Sequence, residues 1–133
     1  MPADLGARDG RLKPPSQTPN SVSSQAALHG GPGAEHARIA PIAFSGDGAA
    51  ALARLRAIVL AMPGARIVHS DPGYLHVQFE TRWLKFVDDA EFLLAPAESV
   101  IHLRSASRTG RRDFGVNRAR MEAIRRAFAQ PAT

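Results

Sequence analysis

The sequence contains no cysteine, and this absence removes several kinds of chemistry at once. Disulfide bonds, thiolate nucleophiles and cysteine-bound zinc or iron–sulfur clusters are all excluded. Aromatic residues make up only 6% of the chain, so a core must be built mainly from aliphatic side chains. No apolar run approaches the roughly 18 residues that a membrane-spanning helix needs, and residues 1–12 lack the apolar stretch of a secretory signal. We therefore expect a cytoplasmic protein without a membrane span, and a periplasmic or lumenal one only if a targeting segment precedes this sequence.

The chain of 133 residues fits one structural domain, because a second core would be too small to be stable alone. Residues 1–45 are rich in Pro, Gly and Ser and show no sustained periodicity, which predicts an extended arm. Residues 46–133 carry the periodic patterns. We expect them to form an α+β domain on which the arm packs.

Two helices are predicted from apolar side chains that repeat at helical spacing. The first begins near Ser45 or Asp47, either of which can accept hydrogen bonds from the free N–H groups of a first helical turn. It ends at Pro63-Gly64. The second covers residues 116–130. We expect it to bury four apolar side chains, Val116, Met121, Ile124 and Phe128.

Between the helices, about four short strands are predicted. They are expected over residues 65–69, 74–80, 83–87 and 100–107. The second of them alternates between apolar and polar side chains, which is typical of an antiparallel strand with one buried face. The order of helix, antiparallel sheet and helix indicates an α+β fold. Since each helix has one apolar stripe, both should cover the same face of the sheet.

The net charge of +5 is concentrated in one segment of the chain. Between Arg104 and Arg126 there are eight arginines and two acidic residues, a local charge of +6, whereas the rest of the chain is close to neutral. This segment joins the last predicted strand to the second helix. The first turn of a helix has free N–H groups and favours nearby negative charge, so arginines at this point indicate an anion among them.

Two sources for that anion remain open. It can be a small ligand or an acidic protein surface, bound by arginines and hydroxyls of the turn, namely Arg104, Ser105, Ser107, Arg108, Arg118 and Arg120. It can also be internal. In that case a structural network locks the sheet to the helix, and its other members are Asp88, Asp89, Asp113 and Asn117. The two adjacent aspartates are expected at the end of the third predicted strand.

The sequence gives less support to the remaining functional classes. Nucleic-acid binding is not favoured, because Phe114 is the single aromatic residue among the basic ones of this segment. The five histidines show no tight ligand spacing, so we predict neither a metal site nor a cofactor, and a polar sheet face explains His76 and His102. Two alternatives to a binding module stay open. One is an enzyme that uses Asp88 or Asp89 with a neighbouring arginine for acid–base chemistry; the other is a purely structural or assembly protein.

Three stretches of sequence together are similar to a known family. They are Pro19-Asn20-Ser21-Val22-Ser23-Ser24-Gln25 in the arm, Phe86-Val87-Asp88-Asp89-Ala90-Glu91-Phe92, and Arg104-Ser105-Ala106-Ser107-Arg108 continuing through Asp113, Gly115, Val116, Asn117 and Arg118 to Arg120. In these stretches the chain resembles the bacterial and plastid domain of unknown function numbered 1499 (DUF1499). The resemblance implies no established activity.

The resemblance also gives weight to the arm. A polar segment kept with a domain is expected to lie against it, near the polar sheet face or the arginines. We expect four side chains to satisfy backbone groups there, those of Asn20, Ser23, Ser24 and Gln25. Members of the family commonly carry a cysteine pair around this segment, where the present chain has Pro15 and Ser21. The resemblance therefore implies that the function of this chain does not need thiol chemistry.

Overall fold

The computed structural model describes residues 6, 11–12, 21–25, 39–80, 87–108 and 116–129. In these residues, six antiparallel strands form one sheet and two helices pack on it. The strands are β1 (Ser21–Ser23), β2 (Ile42–Ala43), β3 (Ala65–Asp71), β4 (Tyr74–Glu80), β5 (Val87–Ala95) and β6 (Val100–Ser107), and the helices are α1 (Gly48–Leu60) and α2 (Val116–Ala129). Two helices and an antiparallel sheet are as predicted. The expected number of about four strands was wrong.

The two additional strands come from the arm. In the sheet order β1-β6-β5-β4-β3, β1 pairs with residues 104–106 of β6, and β2 pairs with residues 100–101 of the same strand. Strands of three and two residues are too short to show alternation in a sequence. They form because β6 would otherwise present a row of unpaired backbone groups at the edge of the sheet.

Strand β5 corrects the predicted position of the third strand. The expected strand covered residues 83–87, of which only the last is among the described residues, and β5 runs from there to Ala95. Ala90 and Phe92 are fully buried on the side of the helices. Asp88 and Asp89 therefore lie at the beginning of a strand and not at its end. Acidic residues are tolerated inside β5 because arginines pair with both of them.

Helix α1 begins as its sequence predicts. Asp47 is the N-cap residue, and its side chain accepts a hydrogen bond from the Ala50 N–H at 3.0 Å. Leu52, Leu55 and Val59 are buried at helical spacing against the sheet. This helix and α2 contact each other and share one hydrophobic core, so both cover the same face of the sheet.

Helix α2 buries a stripe that differs from the expected one by a single residue. Met121, Ile124 and Phe128 are buried as predicted, whereas Val116 is 45% exposed. The stripe continues back from Met121 by one helical turn to residue 117, and Asn117 occupies that position with no exposed surface. Val116 was expected to be buried because it is apolar, but the helical period points it away from the sheet. Neither helix in the described part of the chain is long and apolar enough to cross a membrane.

Candidate functional site

The sheet face opposite the helices carries a row of polar side chains that crosses four strands. Cα pairing aligns Ser23 with Arg104, Arg104 with Glu91, and Glu91 with His76. Side chains aligned in this way point to the same face of a sheet. All four are buried, with exposed fractions between 0% and 3%. We call these four residues the polar row.

Glu91 is the acceptor at the centre of the polar row. Its Oε2 atom accepts hydrogen bonds from the backbone N–H of Gly6 at 2.8 Å and from the hydroxyl of Tyr74. Its Oε1 atom lies 3.8 Å from Nη1 of Arg104 and has no hydrogen-bond partner among the described residues. Burial and the hydrogen bond to Glu91 raise the pKa of Tyr74 above its ordinary value. The guanidinium of Arg104 thus balances a fully buried carboxylate.

Asp89 lies beside the polar row and binds two donors. Its Oδ1 atom is 2.8 Å from Nε2 of His76, and Arg108 donates to both carboxylate oxygens, from Nε at 2.6 Å and from Nη2 at 3.0 Å. Burial would raise the pKa of Asp89, but the hydrogen bonds from His76 and Arg108 and the charge of Arg108 lower it to about 2. The hydrogen bond to Asp89 in turn raises the pKa of Arg108. Both groups are charged at neutral pH.

Asp88 points to the other face of the sheet, toward α2. It accepts a hydrogen bond from Nη1 of Arg120 at 2.8 Å. The guanidinium of Arg120 also lies over the ring of Phe79, 4.5 Å from the centroid, and Phe79 is the Cα partner of Asp88. Adjacent aspartates therefore bind different arginines on opposite faces, because successive side chains of a strand alternate.

The first turn of α2 is attached to β6 through Asn117. The hydroxyl of Ser105 donates to Asn117 Oδ1, and Asn117 Nδ2 donates to the hydroxyl of Ser107 at 3.1 Å. Nη1 of Arg120 donates to the same amide oxygen at 3.3 Å. Hydroxyls that were candidates for binding an anion thus contact the protein itself, and they attach the first turn of α2 to β6.

The arm segment contacts the sheet at the end of the polar row. Ser24 Oγ accepts a hydrogen bond from the Leu103 N–H at 2.7 Å and lies 3.0 Å from Nδ1 of His102. The other ring nitrogen of His102 lies 3.2 Å from the carboxylate of Glu98. A carboxylate at Nε2 favours the neutral tautomer that carries its proton there, in which Nδ1 is an acceptor for the Ser24 hydroxyl; the Leu103 carbonyl, 3.3 Å from Ser24 Oγ, is a second acceptor for the same hydroxyl.

Two further arm side chains bond to backbone groups. Ser23 Oγ accepts from the Gln25 N–H at 3.1 Å, and Gln25 Oε1 accepts from the Leu12 N–H at 2.8 Å. Both side chains are buried. Residues 21–25 are therefore fixed by their own polar side chains and by strand pairing with β6. Asn20, the fourth residue expected to do this, lies outside the described residues.

The candidate residues separate into two groups by position. Arg104, Arg108 and Asp89 lie on the face of the polar row, whereas Ser105, Ser107, Asp88, Asn117 and Arg120 lie on the face of the helices. Arg118 is half-buried on α2, and Asp113 is outside the described part of the chain. Sequence reasoning assigned no role to Tyr74 or Glu91. The alternation of β4 indicated that Tyr74 faces away from the core, but only the register with β5 places it against Glu91.

Two cavities on the surface of the described residues lie away from these groups. Their volumes are about 480 and 140 Å³, and they border neither Asp88 nor Asp89. The larger lies between the beginning of α1 and the end of α2, beside Phe44, Arg54 and Phe128. No group of three histidine or acidic residues that could hold a metal ion occurs in the described ranges. The ion pairs of Asp88 and Asp89 with arginines can hold these charged side chains in fixed positions.

The sequence comparisons agree with the resemblance seen in the three stretches. Residues 11–128 match the family described as protein of unknown function (DUF1499). No curated protein and no solved structure matches the chain. The family match extends from the arm through the polar row to the last turn of α2, well over half of the chain. The chain therefore belongs to the DUF1499 family.

Proposed function

We propose that the protein is a non-catalytic module that binds an anionic group, carried by a small ligand or an acidic partner surface, through its arginine-rich strand-to-helix segment. The observation that supports this proposal is the formal charge of +6 between Arg104 and Arg126, which is placed around the beginning of α2. Four arginines of the segment pair with carboxylates, in the pairs Arg104–Glu91, Arg108–Asp89, Arg120–Asp88 and Arg125–Glu122.

The internal pairs change which residues the proposal depends on. Arg104, Arg108 and Arg120 were candidates for binding the ligand, but each lies against a buried or nearly buried carboxylate. Their replacement would leave a buried negative charge and would destabilise the fold. We assign Arg104 and Arg108 to internal pairs within the sheet, and Arg120 to the lock between sheet and helix. The binding role passes to the arginines near the beginning of α2, and Arg118, in the first turn of that helix, is the one to test because helix N-termini attract anions.

The contacts of Asp88 and Asp89 support the proposal that the module is non-catalytic. A general base needs a carboxylate that faces a substrate and has a pKa near the working pH. Asp89 is buried, bonded on both oxygens, and its pKa is lowered to about 2. Asp88 bonds to Arg120 and borders neither described cavity. These contacts do not favour the acid–base enzyme.

The experiment compares melting temperatures in anions at constant ionic strength. Phosphate, sulfate, citrate and poly-glutamate are titrated against a chloride reference, with the native chain, Arg118→Ala and Arg126→Ala. Arg126 is a matched control because it is an exposed arginine of the same helix, eight residues and roughly 12 Å further along. A ligand present at ten times its Kd should raise the melting temperature by roughly 3 to 6 °C.

We expect this rise in the native chain and in the Arg126→Ala variant, and a smaller rise in Arg118→Ala. A response to poly-glutamate alone would identify an acidic protein surface as the partner, and a response to the small anions would identify a small-ligand site. If none of the four raises the melting temperature above the chloride reference, the anion-binding proposal is wrong. An equal response of both variants would move the site away from the start of α2.

A further inference from the structure

Residues 21–25 are held on the edge of β6 in the way that a separate peptide is held by strand addition. β1 pairs antiparallel with residues 104–106 of β6, and the N–H of Ser24 continues the pairing by donating to the carbonyl of Leu103 at 2.8 Å. Peptides bound in this mode gain affinity from main-chain hydrogen bonds and specificity from the side chains that alternate between two faces. The arm supplies both kinds of contact.

The side chains of this segment are recognised one by one. Val22 is 4% exposed and belongs to the hydrophobic core, whereas Ser23 points to the opposite face and is fully buried. The hydroxyl of Ser24 contacts both the Leu103 N–H and His102. A shift of the pairing by one residue would move Val22 from the core to the polar row. The edge of β6 therefore fits this sequence in one register.

The covalent connection to this segment is long enough to reach a second molecule. Thirteen residues, including Gly30-Gly31-Pro32-Gly33, lie between Gln25 and Ile39 in the sequence. A connection of that length spans up to about 45 Å when fully extended. This exceeds the diameter of a small domain, which is roughly 30 Å.

We propose that two copies of this chain exchange their arms, so that residues 21–25 of each copy dock on β6 of the other. The two docking edges are identical, so the exchanged dimer keeps every contact that holds the segment in a single copy. The cost of exchange lies in the association of two molecules and in the conformational freedom of the connection. A tethered segment has an effective concentration on the order of millimolar at its docking site, so exchange should increase as the protein concentration approaches that value.

The absence of cysteine allows a direct test by disulfide crosslinking of the full chain. One variant carries Ser21→Cys in β1, and a second carries Ala106→Cys, its Cα partner in β6. The two are unfolded together, refolded as an equimolar mixture at about 1 mM, which matches the effective concentration of the arm, and then oxidised. The disulfide-linked heterodimer is identified by its mass.

Two further variants serve as controls. Ser70→Cys replaces Ala106→Cys in a parallel mixture, because Ser70 is exposed on β3 at the opposite edge of the sheet and reports random collisions. The double variant Ser21→Cys/Ala106→Cys shows whether the pair can bond inside one chain. Adding Val22→Asp to the Ser21→Cys chain tests docking itself, because a carboxylate cannot enter the core position of Val22.

Arm exchange predicts at least about tenfold more heterodimer with Ala106→Cys than with Ser70→Cys, and a steep loss of that heterodimer at roughly 10 µM, far below the effective concentration of the arm. Val22→Asp should remove most of the excess. If the double variant forms its internal bond while the mixture yields no excess over Ser70→Cys, the arm docks only within its own chain and the proposal is wrong. If the double variant forms no bond, the β1–β6 register itself is contradicted, and the proposal fails with it.

Discussion

Arg108 and Asp89 are joined by two parallel hydrogen bonds that connect the end of β6 to the beginning of β5, with lengths of 2.6 and 3.0 Å. The backbone N–H of Arg108 adds a third bond, to the carbonyl of Val87 at 3.0 Å. The carboxylate of Asp89 is 4% exposed, so the stabilisation of its negative charge depends on Arg108 and on His76. The sequence suggested Arg108 as a ligand-binding residue, whereas in the structure its hydrogen bonds join two strands of the sheet.

Replacement of Arg108 should destabilise the protein far more than replacement of an exposed arginine. Arg108→Ala leaves Asp89 buried with His76 as its remaining donor, so we expect the free energy of unfolding to fall by about 3 kcal/mol. Arg126→Ala removes the same charge from an exposed position and should change it by less than about 0.5 kcal/mol. Urea unfolding at pH 7 measures both. Equal effects would show that the contact of Arg108 with Asp89 contributes no stability.

Stability should also depend on the protonation of Asp89. Its pKa is about 2 in the folded protein, against an ordinary value of 3.8 that holds for the unfolded chain. Because the folded pKa is the lower one, this stabilisation is fully present above about pH 4 and is lost as the pH falls through 2. The shift corresponds to about 2 kcal/mol. Asp89→Asn lacks the titrating group, so the difference between native and variant stability should narrow by about that amount between pH 5 and pH 2.

A constant difference in the free energy of unfolding between the native chain and Asp89→Asn over this pH range would contradict the assignment of the low pKa to Asp89. Other carboxylates titrate in both proteins and cancel in the comparison, so the measurement isolates one residue. Urea unfolding at closely spaced pH values, with the same salt throughout, is sufficient.

Asp88 and Asp89 also show which part of the site could be predicted from the sequence. The sequence suggested that carboxylates beside the arginines could serve as internal partners, and in the structure Asp89 pairs with Arg108 and Asp88 with Arg120. Sequence reasoning treated the two aspartates as one acidic pair, because a sequence shows that they are adjacent but not to which face each side chain points. Their side chains point to opposite faces of β5 and bind arginines from different elements. That separation follows from the start of β5 at Val87, which depends on pairing with β4 and β6.

Local patterns were enough for the elements that have them. The cap at Asp47, the alternation of β4 and the stripe of α2 from Met121 to Phe128 follow from residue type and spacing. β1 and β2 could not be predicted, since their hydrogen-bond partners are more than fifty residues away in the sequence. The contact of Tyr74 with Glu91 needed the register between two strands, and a single sequence does not contain it.

The attachment of α2 to β6 should depend on the amide of Asn117. Asn117→Ala removes the acceptor of the Ser105 hydroxyl and the donor to Ser107, and leaves the fully buried Ser105 hydroxyl without that partner. We expect a loss of about 2 kcal/mol in the free energy of unfolding. Asn117→Asp keeps the acceptor and loses the donor, so it tests the two bonds separately by the same urea titration. A neutral Asn117→Ala would show that the amide does not hold the helix.

Gly64 and Gly46 form a matched pair for a test of backbone space. Both have positive φ, at +77° and +79°, so alanine is strained at either position by about 1 kcal/mol. A Cβ on Gly64 would lie 2.4 Å from the carbonyl oxygen of Glu80, whereas one on Gly46 meets nothing within 4 Å. Gly64→Ala should therefore lower the melting temperature well beyond Gly46→Ala, which carries the backbone strain alone. Similar melting temperatures would contradict the close approach of residue 64 to β4.

Tyr74 allows the polar row to be observed directly, because it is the only tyrosine in the sequence. Burial and the hydrogen bond to the Glu91 carboxylate raise its pKa, since ionisation would place two negative charges side by side in a buried site. Tyrosinate absorbance should therefore stay absent at pH 10, where a free tyrosine is half ionised. It should rise only when circular dichroism shows that the protein unfolds. In Glu91→Gln the repulsive carboxylate is gone, and if that variant remains folded its tyrosine should ionise at lower pH than in the native chain. A native tyrosine that ionises near pH 10 without unfolding would show that Tyr74 is not held against Glu91.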